Sequence, residues 1–140
     1  MMKTFRIVVA LLAVCASAAE KKVVSPAGAR PPVGPYSPGI LTAGYLYVSG
    51  QGAARTDGTF PATTEEQIAQ SLNNVKAIVE AAGLTMEHVV YTHLYLRDVG
   101  EYSKVNGPWG KVFTKNPPAR ATLGVHKMPT DTPVEITVVA

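Results

Sequence analysis

Hydrophobic and polar positions along the 140-residue chain change period several times, and each change marks an element. Ile68, Leu72, Val75, Val79 and Ala82 recur at spacings of four, three, four and three, which is the stripe of an amphipathic helix. Thr63 with Glu66 supplies a capping box at its start, and Gly83 stands where a left-handed C-cap belongs. Asn73 and Asn74 fall on its polar side, as solvated residues would. Ahead of the helix, Ile40-Leu41 and Tyr45 to Val48 predict two strands around a tight Thr-Ala-Gly turn, and Gly50 to Phe60 predicts a loop. After it, Val89 to Arg97 is a β-branched and aromatic strand with apolar residues on both faces. Gly100 to Phe113 predicts a second helix with Tyr102, Val105, Trp109 and Val112 on one face. Pro108 should kink it near Gly107-Pro108, because proline loses a backbone hydrogen bond and clashes one turn back. The last residues, 118 to 140, form two alternating runs around a Pro/Thr/Asp-rich turn, which reads as a β-hairpin with a loop from Met128 to Pro133. The sum is an α+β domain: a mixed β-sheet with two helices packed on one face.

The first residues follow a different logic. Lys3 and Arg6 form a positive n-region, Ile7 to Ala16 an apolar run too short to anchor in a bilayer, and Ala16-Ser17-Ala18 a cleavage site. A secretory signal peptide over residues 1–19 is expected, and with it an exported protein, periplasmic or secreted, with no membrane attachment after cleavage. Val14 before Cys15 argues against a lipoprotein. Residues 20–31, with Pro26 and Pro31, read as an N-terminal arm or linker, and 32–140 as one domain. Losing Lys3 and Arg6 from 13 basic residues leaves 11 against 10 acidic ones, a formal charge of +1. No Lys/Arg cluster follows Lys21-Lys22, so a nucleic-acid surface is not indicated. Cys15, the single cysteine, leaves with the signal, and with it go disulfides, thiol nucleophiles and thiolate metal ligands.

Few residues remain as candidates for chemistry. His88 and His93 are odd-spaced, would point to opposite faces of one strand, and have no acidic companions, so no metal site is expected. Ser49 lies in Ser-Gly-Gln rather than in a hydrolase elbow, and Gly50 and Gly52 lack the Lys and helix of a phosphate loop. Each terminal run, however, carries one charge: Arg120 at the start of the first and Glu135 early in the second. Such a charge needs water, a partner or a ligand, because unpaired burial is too costly. Two edge charges snorkelling to solvent satisfy that need as well as a ligand does. In the hairpin, Glu135 faces His126, which shares parity with Arg120. The two charges then lie on one sheet face but roughly 20 Å apart at about 3.3 Å per residue. One small substrate could meet both only through a bulge or a second copy of the chain.

The terminal stretch from Pro118 to Ala140 resembles the C-terminal signature of the RidA/YjgF family of reactive-intermediate deaminases. Gly34-Pro-Tyr-Ser-Pro38, Tyr47-Val-Ser-Gly-Gln51, Ser71-Leu-Asn-Asn-Val75 and Val105-Asn106 fall in the family's order, and the likeness runs from about Pro32 to Ala140. The resemblance implies a chorismate-mutase-like fold and a homotrimer with ligand clefts between subunits. It implies hydrolysis of 2-imino or enamine acids to 2-keto acids and ammonia, without metal or cofactor. It gives Arg120 the capture of the substrate carboxylate and Glu135 the activation of water. Tyr36, Ser49 and Asn106 line the cleft, the Gly50 amide donates to the ligand, and the Thr122 carbonyl holds the water where many members carry cysteine. A second helix that runs unbroken is the family's habit, and Pro108 departs from it. The rival reading is a non-catalytic small-molecule-binding or chaperone-like trimer of the same fold. A ribonuclease is disfavoured by the near-neutral charge of the mature chain.

Overall fold

The structure, a computed structural model, describes residues 19–140; the signal-peptide, cleavage and Cys15 readings fall on residues 1–18 and lie outside the described residues. Six strands form one sheet in the order β1-β2-β3-β6-β4-β5: β1 Lys22–Val24, β2 Gly39–Thr42, β3 Tyr45–Gly52, β4 Tyr91–Leu96, β5 Ala119–Gly124 and β6 Val134–Val139. Two α-helices, α1 Thr64–Ala81 and α2 Asn106–Val112, lie on one face. Only β4 and β5 run parallel; the other neighbours are antiparallel. The α+β class and mixed sheet expected from the periodicities are present.

Local signals set the local elements. Thr63 accepts from the Glu66 amide and the Glu66 carboxylate accepts from the Thr63 amide, closing the capping box. At the other end Leu84 N–H reaches the Val79 carbonyl and Gly83 N–H that of Glu80, a Schellman motif around Gly83 at φ 79°. Ala43 and Gly44 both take positive φ, as a two-residue turn must if its twist is to match that of β2 and β3. Ile68, Leu72, Val75 and Val79 of α1 pack on Leu46, Val48, Ile136 and Val138 of the sheet. Each such burial contributes on the order of 1.5–3 kcal/mol relative to exposure.

Non-local pairing departs from the sequence reading in several places. Residues 118–140 do not form a hairpin. β4 inserts between the two runs, pairing parallel with β5 and antiparallel with β6. A parallel pair needs a crossover, and the segment carrying α2 supplies it. The segment read as a loose arm contributes β1, an edge strand in register with β2. β3 runs on through Gly52, where a loop was expected from Gly50. The second helix is broken at Val105 rather than at Gly107-Pro108: a 3₁₀ segment, Val99–Lys104, gives way there to α2. Pro108 thus sits in the first turn of α2, where its missing N–H would have had no intrahelical partner.

Asn74 is not solvated. Its amide donates to the carbonyls of Gly52 and Ala54 at 2.8 and 3.0 Å, and Gln70 donates to its oxygen. His88 lies in a short 3₁₀ turn, Met86–His88, and not on the strand with His93. The face away from the helices carries exposed Val23, Tyr45, Tyr47, Tyr91 and Leu123.

Candidate active site

A β-bulge builds one half of the candidate site. Val48 pairs with Val138 and Gln51 with Ile136, so three steps on β3 oppose two on β6 and Ser49-Gly50 carries the extra residue. The bulge lays the Gly50 backbone against Glu135. A Cβ built on Gly50 would stand 2.3 Å from Glu135 Oε1 and 2.5 Å from Cδ, so only glycine leaves the carboxylate its place. Glu135 pairs with Tyr95, faces away from the helices and is half-buried. Burial raises its pKa above the ordinary carboxylate value, and no side chain among the described residues hydrogen-bonds it. Ser49 ties the neighbouring loop to the bulge: its hydroxyl donates to the Ser37 carbonyl at 2.6 Å and its amide to that of Pro38. Tyr36, exposed on that loop, is therefore held next to β3.

The other half lies across the sheet. Arg120 pairs with Thr92, whose side chain is buried on the helix side, and its guanidinium reaches α2 and the 3₁₀ segment before it. Nη2 donates to Asn106 Oδ1 at 2.9 Å and to the Tyr102 hydroxyl at 3.4 Å. Cζ lies 4.7 Å from the Trp109 ring centre. Nε and Nη1 have no hydrogen-bond partner among the described residues. Thr122, two residues on, pairs with Leu94 and shares that side of β5.

Arg120 and Glu135 therefore occupy opposite faces of the sheet, not the same one. Their partners on β4, Thr92 and Tyr95, are three residues apart, and two strand spacings separate β5 from β6. The Cα atoms are then about 14 Å apart, closer than the hairpin implied. The structure brings Arg120 together with Asn106, and Glu135 with Gly50, while Ser49 is tied to the Ser37–Pro38 loop; one chain does not unite the two groups. A concavity lined by Thr64, Leu96, Arg97, Glu101 and Val134 among others, at the C-terminal end of β4, contains neither. Sequence reasoning missed Tyr102 and Trp109 as neighbours of Arg120, and Asn74 as the support of the bulged strand. A polar residue one position from the apolar stripe of α1 was the available signal for Asn74. No group of three or more metal-ligating side chains clusters among the described residues, and no helix there is long and apolar enough to cross a membrane.

A six-stranded mixed sheet backed by two helices, with a lone arginine on its edge strand and a desolvated carboxylate on its open face, defines a class of small single-domain proteins. The family described as Endoribonuclease L-PSP matches residues 27–140, and the chain belongs to that family, which also takes in the RutC and YjgF proteins. It is 38% identical over 122 residues to the RutC family protein SSO3206 of Saccharolobus solfataricus, spanning 86% of this chain and 97% of that one. It is 35% identical over 123 residues to the 2-iminobutanoate/2-iminopropanoate deaminase of Escherichia coli K12, spanning 85% and 96%. The crystal structure of E. coli TdcF with bound serine superposes with a TM-score of 0.80 at 29% identity, covering 85% of this chain and 97% of that one.

Proposed function

We propose that the protein hydrolyses 2-imino and enamine acids to 2-keto acids and ammonia at clefts formed between copies of the chain in a homotrimer. The observation that carries the reading is the placement of an arginine with unpartnered Nε and Nη1 and a half-buried carboxylate on opposite faces of one sheet. A second copy whose open face lay beside the β5 edge would bring its Glu135 to the first copy's Arg120. The apolar open face gives such an assembly surface to bury. The likeness to a named imine deaminase over nearly its whole length, and to a fold neighbour holding an amino acid, supports the same chemistry.

In this mechanism Arg120 takes the substrate carboxylate through its planar fork, for which lysine is a poor substitute. Glu135, with the Thr122 carbonyl, orients a water against the imine carbon. An enamine enters as its imine tautomer, C3 having gained a proton from solvent and nitrogen having lost one; as the water oxygen then bonds to C2, the C=N electrons pass to nitrogen and Glu135 takes the water proton. The carboxyl hands protons on to nitrogen until both water hydrogens reside there. Ammonia then leaves and C2 becomes the keto carbon. The raised pKa of Glu135 suits a base that must also give its proton back.

The test is the decay of imines generated in situ from several amino acids, followed with and without the full chain, beside sedimentation at micromolar concentration. Faster decay by a trimer is expected. Binding of 2-keto acids without any faster decay would leave the non-catalytic trimer as the correct reading, and a stable monomer that binds them would remove the shared cleft. We further propose that the chain is exported, on the charge and apolar run of its first residues; mass analysis of an exported fraction should find it beginning near Ala19 or Glu20.

A further inference from the structure

Trp109 is the chain's single tryptophan, 6% exposed, and it is in contact with both Phe113 and Arg120. The Phe113 ring centre is 5.0 Å away, the packing expected of a core aromatic. The Arg120 contact is different in kind. Cζ stands 4.7 Å from the indole centre but 6.0 Å from the Tyr102 ring, so one aromatic face bears most of the cation. Asn106, three residues earlier on α2, accepts from the same guanidinium. Both contacts come from one short helix, whose first turn Pro108 occupies without losing a hydrogen bond. The indole face and the Asn106 oxygen restrain the plane of the guanidinium while Nε and Nη1 stay without a partner among the described residues.

We propose that Trp109 is a positioning residue, which orders the Arg120 fork before a 2-keto or 2-imino carboxylate arrives. The inference rests on the carboxylate-capture reading above and adds to it the residue that sets its affinity. An unrestrained arginine loses its rotamer freedom on binding, and a fork already held loses less. Trp109 touches no reacting atom in this scheme, so it governs capture and leaves the water step at Glu135 alone.

Emission, binding and turnover measured on the full chain decide it. Because no other tryptophan contributes, emission excited at the red edge reports on Trp109 directly, and Arg120→Ala should shift it with no ligand present. Unchanged emission overturns the contact. Calorimetric titration with 2-oxobutanoate should then show Trp109→Leu weakening binding roughly 5- to 30-fold, the span of a partly desolvated cation–π contact. Trp109→Phe, which keeps a π face, should recover most of that loss. KM should rise with binding while kcat stays near the wild-type value. In an Arg120→Lys background, which keeps the charge without the planar fork, Trp109→Leu should cost much less than in the wild type; an equal loss there marks Trp109 as packing alone and overturns the role. Wild-type binding that ignores Trp109→Leu sinks the role but not the carboxylate reading. Absence of wild-type binding sinks both.

Discussion

The two halves of the site are held by opposite means. Arg120 is gripped: a hydrogen bond to Asn106 and the face of Trp109 fix its head, and the groups that do so sit on α2. Glu135 is only given room. Its position follows from a β-bulge and from the missing side chain at Gly50, and no hydrogen bond from a described side chain anchors the carboxylate. A cation meant to capture a ligand gains from being ordered beforehand. A base that must accept and return a proton gains from a desolvated setting that keeps its protonated and ionised forms closer in energy. Substitutions on the carboxylate side should therefore alter rate, and those on the arginine side affinity.

The largest expected effect is Glu135→Gln. Turnover should fall by roughly 10²–10⁴-fold, the usual worth of a general base, while 2-keto acid binding stays, since the proposed mechanism gives carboxylate capture to Arg120. Parallel losses in rate and binding would erase the division between the halves. Gly50→Ala comes next. The new methyl displaces a flexible carboxylate rather than backbone, so the thermal midpoint should barely move. A shift of about 1 Å in the base nonetheless costs on the order of 10²-fold in turnover. A large drop in melting temperature with rate preserved would show that the glycine serves the strand and not the base.

Asn74→Ala tests the support beneath the bulge. It removes two bonds to the Gly52 and Ala54 carbonyls, which should cost about 1–3 kcal/mol in chemical denaturation and reduce turnover less than Gly50→Ala does.

The smallest effect concerns pH. Burial raises the folded pKa of Glu135 above its ordinary value, so the base form is lost at a higher pH than for an exposed glutamate, and the acid limb of kcat should be shifted upward accordingly. For stability the sign is the reverse of a salt-bridged carboxylate. Below the unfolded pKa the neutral side chain costs nothing extra, and stability declines as pH rises through the folded pKa. Glu135→Gln should remove that decline and leave the neutral-pH protein slightly more stable, as pH-dependent thermal unfolding would read.

What could be read from the chain alone was local. The capping box at Thr63 and Glu66, the Gly83 terminus of α1 and the Ala43-Gly44 turn each depend on backbone preferences within a few residues, so their residues announce them. The α+β class followed from the change of period between elements, and the lone charges at 120 and 135 stood out because alternation around them was otherwise uncharged. Strand partners were not legible. Two alternating runs around a short turn look alike whether they pair with each other or with β4, which in the folded sheet lies between them. That insertion placed Arg120 and Glu135 on opposite faces. The bulge at Ser49-Gly50 is equally silent in sequence, because one extra residue in a strand changes no local preference and is fixed only by the neighbour it slips against. Asn74 and Trp109 carry ordinary helix signals, polar and apolar. What each one holds was decided when the sheet brought Gly52 beneath the first and Arg120 against the second.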